Sequence, residues 1–196
     1  MMEQQAVIDF FDRAAAGWDA QLVRNEAVIG KILDNAGLRP GVSVLDVACG
    51  TGVLIPDYLR RGAAQVTAID IAPEMARIAR EKFPQENVTV LCGDAARTRF
   101  ETPFDCIMIY NAFPHFPEPE RLIAHLAGLL TPGGTLTVAH GLSRSALDAH
   151  HEKTARAVSN GLLPVETLAG LFAKHLTVTV RISDGDMYQV VGQRRL

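Results

Sequence analysis

The stretch Val44-Leu-Asp-Val-Ala-Cys-Gly-Thr-Gly52 joins a short apolar run to a turn that carries two glycines. Such a run is typical of a buried parallel strand that leads into a helix, here expected to begin near Thr51. Glycine lets a ligand approach the backbone, and the unpaired N–H groups of the helix attract a carboxylate or phosphate. The stretch indicates a nucleotide-type binding turn, although a tight turn without a ligand remains an alternative.

Short Val- and Ile-rich runs recur after this stretch and alternate with helical patterns. This alternation predicts an α/β fold, a Rossmann-like doubly wound sheet that is mostly parallel and covered by helices on both faces. The strands are expected at 42–47, 66–70, 87–92, 104–109 and 134–139. The helices are expected at 52–61, 73–83 and 118–130.

Further helices are predicted on either side of this alternating region. Apolar residues at helical spacing predict two N-terminal helices within residues 1–37. Residues 142–173 contain two helical stretches, separated by Asn160-Gly161 and Pro164, and are predicted to be an insert that covers the site.

The end of the chain predicts a β-hairpin. Apolar and polar residues alternate over 175–181 and 187–194, on either side of the turn dipeptide Asp184-Gly185. The hairpin completes a seven-stranded sheet whose last strand runs antiparallel to its neighbours. Residues 1–196 are therefore expected to form a single domain.

Composition limits the classes of partner. Of the 196 residues, 48% are hydrophobic and 21% are charged, and the formal net charge is -3. These values are typical of a folded globular chain without a broad basic surface, so nucleic acid is not an expected partner. A monomer or homodimer is expected.

The cysteines and the N-terminus predict a cytoplasmic protein. Cys49, Cys92 and Cys106 form no Cys-x-x-Cys pair, so reduced thiols are expected. Acidic residues interrupt the N-terminal apolar pattern, which disfavours a signal peptide, and no apolar run reaches the length of a membrane span.

Acidic residues end the next two predicted strands. Asp70 lies in Ala68-Ile-Asp-Ile71, and Asp94 lies in Cys92-Gly-Asp-Ala95. At the sheet edge, Asp70 could accept hydrogen bonds from both hydroxyls of a ribose. Asp94 could accept a hydrogen bond from the exocyclic amine of an adenine. Each could instead cap a helix or turn, but the series favours an adenosine-containing ligand.

The order of these motifs resembles class I S-adenosylmethionine-dependent methyltransferases, particularly the small-molecule subgroup similar to ubiquinone and menaquinone C-methyltransferases. The resemblance extends from about Phe10 to Ala139. The matching segments are residues 10–19, 46–52, 70–71 with Met75, 93–95, 104–111 and 129–134.

The resemblance implies transfer of a methyl group from S-adenosylmethionine to a small-molecule acceptor by direct displacement, with S-adenosylhomocysteine as product. Asp46 and the glycine turn would lie near the methionine part, and Ile71 and Met75 would lie against adenine. Trp18 stands where a tyrosine is expected. The implied cofactor-binding residues are Trp18, Asp46, Ala48, Cys49, Gly50, Thr51, Gly52, Asp70, Ile71, Met75, Gly93, Asp94, Ala95 and Asn111.

Histidines are the candidate catalytic residues. An acceptor that must lose a proton needs a base, and histidine is the usual one near neutral pH. Among His115, His140, His150 and His151, we predict His140 and His151 as bases, with surface or capping roles as the alternative. No metal site is predicted, because no supporting Cys-x-x-Cys or His-x-x-x-His spacing is present.

Two other functions remain open from the sequence. An NAD(P)-dependent oxidoreductase also uses a glycine turn and an acid after the second strand, but Ile55 replaces the third glycine of its motif. A regulatory or metal-associated protein could bind S-adenosylmethionine without transferring the methyl group, because binding motifs do not establish turnover.

Overall fold

The computed structural model describes residues 3–143 and 158–196. The described helices are α1 (Gln4–Gln21), α2 (Glu26–Asn35), α3 (Ile55–Arg60), α4 (Pro73–Lys82), α5 (Pro119–Gly128) and α6 (Val165–Ala173). The strands are β1 (Ser43–Val47), β2 (Gln65–Asp70), β3 (Val88–Cys92), β4 (Phe104–Tyr110), β5 (Leu130–His140), β6 (Thr177–Ser183) and β7 (Tyr188–Gln193). A short 3-10 helix, Phe113–His115, follows β4.

The seven strands form one sheet in the order β3-β2-β1-β4-β5-β7-β6. The first five pair in parallel, and β7 pairs antiparallel with both β5 and β6. The predicted Rossmann-like sheet with a C-terminal antiparallel hairpin is therefore confirmed. The strand order reverses at β1, which lies between β2 and β4, and a crevice outside the carboxyl ends of the strands is expected at such a reversal.

Apolar residues on both faces of β1 explain why it lies at the centre of the sheet. Leu45 and Val47 belong to one core cluster, together with buried residues of α5 and α6. Val44 belongs to a second cluster, together with buried residues of α2, α3 and α4. A strand buried on both faces reads as a nearly continuous apolar run, which is the pattern of the opening stretch.

The first helix after β1 begins later than predicted. The expected start near Thr51 is wrong, because residues 51–54 form turns and α3 starts at Ile55. Gly52 has a φ of +83°, and a Cβ there would lie 2.6 Å from the Phe83 ring. The left-handed backbone delays the helix and requires glycine.

The described helix of the predicted insert, α6, packs on the sheet. In α6, Leu168, Ala169 and Phe172 are buried in the core cluster that α5 and β7 also share, so this helix covers the sheet. Residues 144–157, which include His150 and His151, lie outside the described residues.

Within the described ranges, no helix is both long and apolar enough to cross a membrane.

Candidate functional site

A cavity of about 730 Å³ lies at the carboxyl ends of β1 to β4 and beneath α1. Of the residues predicted to hold the cofactor, all except Thr51 and Gly52 line it. The lining residues from that prediction are Trp18, Asp46, Ala48, Cys49, Gly50, Asp70, Ile71, Met75, Gly93, Asp94, Ala95 and Asn111. The topology therefore brings separate segments of the chain to one concave surface.

Unusual backbone conformations cluster at this cavity. Within the described ranges, Ala48 and Asn111 are the two non-glycine residues with positive φ, at 54° and 55°, and both line the cavity. This conformation is uncommon for residues with a Cβ, and such strain concentrates at functional sites. The Asn111 side chain helps to hold its loop, because its Oδ1 accepts a hydrogen bond of 2.9 Å from the Gly141 N–H.

Asp70 connects the end of β2 to the turn after β1. Its Oδ2 accepts the Gly50 N–H at 2.8 Å, and its Oδ1 accepts the Ala72 N–H at 2.9 Å. Burial raises the pKa of Asp70, and the hydrogen bonds from Ala72 and Gly50 partly offset that rise. Each carboxylate oxygen has a second lone pair, so Asp70 can still accept hydroxyl groups of a ligand.

Asp46, on β1, is a buried carboxyl group facing the cavity. Its side chain is 2% exposed, and among the described residues its Oδ2 has no hydrogen-bond donor. Burial raises the pKa of Asp46 to about 8; the Tyr58 hydroxyl beside it lowers the pKa and the Asp70 charge raises it. The Tyr58 hydroxyl is the nearest protein donor to this carboxyl group, whose remaining lone pairs can accept a donor from a ligand.

Asp94, after β3, combines a capping role with exposure to the cavity. Its Oδ1 accepts the Ala96 N–H at 2.9 Å, as in the capping alternative. Its Oδ2 accepts a hydrogen bond from Gln4 Nε2 at 2.9 Å and lies 3.4 Å from Arg97 Nε. The observed position of the Asp94 side chain is therefore compatible with both alternatives, a turn cap and an acceptor for the amine of an adenine.

Polar contacts hold α1 over the strand ends. Asp12 Oδ1 accepts the Glu74 N–H at 2.9 Å, at the first turn of α4. Asp19 accepts hydrogen bonds from the Thr51 hydroxyl at 2.5 Å and from Lys82 Nζ at 2.6 Å. Burial alone would raise the pKa of Asp19, but Lys82 and Thr51 lower it overall. Helix α1 therefore forms the roof of the cavity.

Thr51 and Gly52 shape the glycine turn from outside the cavity. Thr51 is fully buried, and its hydroxyl fastens the turn to α1 through Asp19. Gly52 provides the left-handed conformation that delays α3. Sequence spacing identified this turn, but it could not separate the residues that face the cavity from those that support it.

The histidines occupy different positions from those expected. His140 is fully buried at the end of β5, with its ring edge-to-face against Tyr188 at 6.1 Å, and it is not among the lining residues. This geometry does not favour the predicted catalytic role of His140. His151, the other predicted base, lies outside the described residues.

Among the histidines that the structure describes, His115 lines the cavity. Its Nδ1 lies 2.6 Å from the Val158 carbonyl oxygen, and its ring is edge-to-face with Phe11 at 5.0 Å. A carbonyl oxygen only accepts hydrogen bonds, so Nδ1 carries a proton. The sequence contained a weak signal for this residue, since it follows β4 at the ligand-binding edge of the sheet.

The part of the cavity away from the acidic strand ends is largely apolar. Its side chains come from the roof helix, from the segment after β4 and helix α5, and from the segment after β5. These apolar lining residues are Val7, Phe10, Phe11, Phe116, Leu122 and Leu142. Such a surface suits a small molecule with an apolar body.

The sheet order, the glycine turn and the acidic strand ends are similar to those of class I S-adenosylmethionine-dependent methyltransferase domains. Residues 44–134 match the family model described as a methyltransferase domain. The resemblance inferred from the motifs is therefore confirmed, and the main interpretation is favoured over a nicotinamide-dependent enzyme.

Among curated relatives, the chain is similar to a ubiquinone biosynthesis O-methyltransferase from Xanthomonas campestris pv. campestris (strain B100). The two are 41% identical over 101 residues, which is 50% of this chain and 42% of the relative. The chain thus matches less than half the length of that relative. The predicted subgroup was named for C-methyltransferases, whereas this relative is an O-methyltransferase.

Solved structures show the same fold over nearly the whole chain. A chain from the complex of the Haloferax volcanii Trm112 methyltransferase activator with its methyltransferase has a TM-score of 0.84 and 19% identity, covering 95% of this chain and 98% of that one. Magnesium protoporphyrin IX methyltransferase from Synechocystis PCC 6803, with bound S-adenosylhomocysteine, has a TM-score of 0.71 and 18% identity, covering 98% and 100%.

Proposed function

We propose that this protein binds S-adenosylmethionine in the cavity under α1 and transfers its methyl group to a small apolar acceptor. The observation that carries the proposal is that Asp46 and Asp70, at the ends of adjacent strands, both face one cavity. One of them, Asp46, is a buried carboxyl group beside the Tyr58 hydroxyl. The ligand expected there carries hydroxyl groups and a cationic amine.

Each part of the cofactor has a matching group in the cavity. Asp70 would accept hydrogen bonds from the ribose hydroxyls with its remaining lone pairs. Asp46 would accept a hydrogen bond from the ammonium group of the methionine part. Ile71 and Met75 offer an apolar surface for the adenine ring, and Asp94 offers an acceptor for its amine. When bound, S-adenosylmethionine supplies an electrophilic methyl group on a sulfonium.

The protein would promote the transfer mainly by alignment. The roof helix and the apolar half of the cavity exclude water and hold the acceptor on the side of the methyl group. For an acceptor that must lose a proton, we assign His115 as the group that takes it up, because it lines the cavity and its Nδ1 is held by the Val158 carbonyl. A hydroxyl acceptor is the first choice, because the matched relative is an O-methyltransferase.

The proposal is tested first by binding and then by turnover. In titration calorimetry we expect S-adenosylhomocysteine to bind and NAD to give no heat of binding. Incubation with S-adenosylmethionine and a panel of apolar alcohols, phenols and amines should then release S-adenosylhomocysteine. Tight binding without release across the panel would favour the regulatory binding protein, and binding of NAD alone would favour the oxidoreductase.

A further inference from the structure

Gln4 lies at the adenine end of the proposed cofactor site, on a segment far from the motifs that identify it. It is the first residue of α1, and its side chain lines the cavity together with Asp94. The hydrogen bond from Gln4 Nε2 to Asp94 Oδ2, at 2.9 Å, connects positions 90 residues apart. The family motifs carry no expectation for this position.

The Gln4 amide would occupy the space needed by an alkyl group on a ligand amine that donates a hydrogen bond to Asp94. An amine that donates to a carboxylate oxygen lies within about 3 Å of it, which is the distance at which Gln4 Nε2 already stands. A carboxylate oxygen can accept two donors, so an unsubstituted amine and the Gln4 amide can share Oδ2 when the 72% exposed Arg97 side chain, now 3.4 Å from that oxygen, turns toward solvent. An alkyl group on the amine would extend toward the Gln4 side chain.

Contacts farther along α1 prevent the helix from moving away and carrying Gln4 with it. Farther along α1, Asp12 is bound to the Glu74 N–H, and Asp19 is bound to both Thr51 and Lys82. These contacts fix the position of the helix, so a larger group at the adenine end would have to move the Gln4 side chain and break its bond to Asp94. The Gln4 side chain itself is exposed, so its hydrogen bond to Asp94 is the contact that a larger group must break.

We propose that Gln4 determines cofactor specificity at the exocyclic amine, admitting adenine with a free amine and excluding its N6-alkylated forms. The inference rests on the proposed binding of S-adenosylmethionine in this cavity. It assigns to the N-terminal end of the roof helix the task of closing the adenine pocket. Asp94 recognises the amine, and Gln4 limits its size.

The test compares S-adenosylhomocysteine with its N6-methyl derivative by titration calorimetry. We expect the wild type to bind the N6-methyl compound at least about tenfold more weakly, and Gln4→Ala to reduce this ratio to about threefold or less. Gln5→Ala is the matched control, since Gln5 Nε2 donates to Asp9 Oδ1 at 2.8 Å and is not among the lining residues. Its ratio should equal that of the wild type.

Three results would overturn the inference while leaving the proposed function intact. They are equal binding of both ligands by the wild type, an unchanged ratio in Gln4→Ala, and loss of both ligands in that variant, which would make Gln4 an affinity contact. A wild type that binds neither ligand would instead reject the proposed function, and this inference with it. Circular dichroism of each variant would verify that the fold is retained.

Discussion

In the half of the cavity formed by the ends of β1, β2 and β3, acidic side chains are held by backbone hydrogen bonds or by burial. Asp70 accepts two backbone N–H groups, and Asp46 is fixed within a buried strand. The other half is lined by apolar side chains from α1, from the chain after β4 and from the segment after β5. The first half is determined by local turns, and the second by how distant elements pack. Substitutions should therefore affect cofactor binding in one half and turnover in the other.

The largest effect is expected from His115→Gln, in the acceptor half. Removing a general base lowers turnover by about a hundredfold or more, while the affinity for S-adenosylhomocysteine stays near that of the wild type. Initial rates with an active acceptor, together with calorimetry, measure both quantities. His175→Gln, on the exposed end of the loop after α6, is the control. Equal rates for the two variants would remove His115 from the mechanism.

Asp70→Ala, in the cofactor half, should weaken binding of the cofactor. Affinity for S-adenosylhomocysteine is expected to fall by roughly 1.5 to 3 kcal/mol, the scale for hydrogen bonds to a charged group. Asp184→Ala provides a matched control, because Asp184 also accepts two backbone N–H groups but lies in the exposed hairpin turn. Unchanged calorimetric affinity in Asp70→Ala would contradict its role.

The buried carboxyl group of Asp46 should make stability depend on pH. Its folded pKa is raised to about 8, so its contribution to stability is greatest at low pH and is lost as pH rises toward 8. Relative to Asp46→Asn, the wild type should lose about 3 to 4 kcal/mol of unfolding free energy between pH 5 and pH 8.5. Urea denaturation at both pH values measures this difference. Parallel pH dependence in the two proteins would argue against the raised pKa.

The smallest effect is expected at the roof of the cavity. Lys82→Ala removes the ion pair with Asp19, in which both side chains are partly exposed, so the unfolding free energy should fall by less than about 1 kcal/mol. S-adenosylhomocysteine should dissociate somewhat faster in stopped-flow measurements, because α1 is held less firmly. Arg77→Ala, which breaks ion pairs within α4 alone, should leave the dissociation rate unchanged. If the dissociation rate changed equally in both variants, the contact between Lys82 and Asp19 would have no specific effect on cofactor binding.

The sequence was informative where short-range patterns specify structure. A buried parallel strand requires a continuous apolar run, and a left-handed turn favours glycine, so β1 and its turn were recognisable from residues 44–52. The same reasoning located Asp70 and Asp94 at the ends of the next strands, and Asp-Gly at the hairpin turn. The helix start near Thr51 was wrong because the strained turn at Gly52 extends farther than propensity indicates.

What only the tertiary structure decided is which side chains face the cavity. His140 ends β5 and His115 follows β4 at the same edge of the sheet, yet His140 is buried and His115 lines the cavity. Gln4 meets Asp94 across 90 residues, a contact that no local pattern encodes. Hydrophobic periodicity and turn chemistry act over a few residues and so determine the elements, the order of motifs and the cofactor turn. Side-chain direction at a shared cavity depends on packing between distant elements, and this determines the acceptor half.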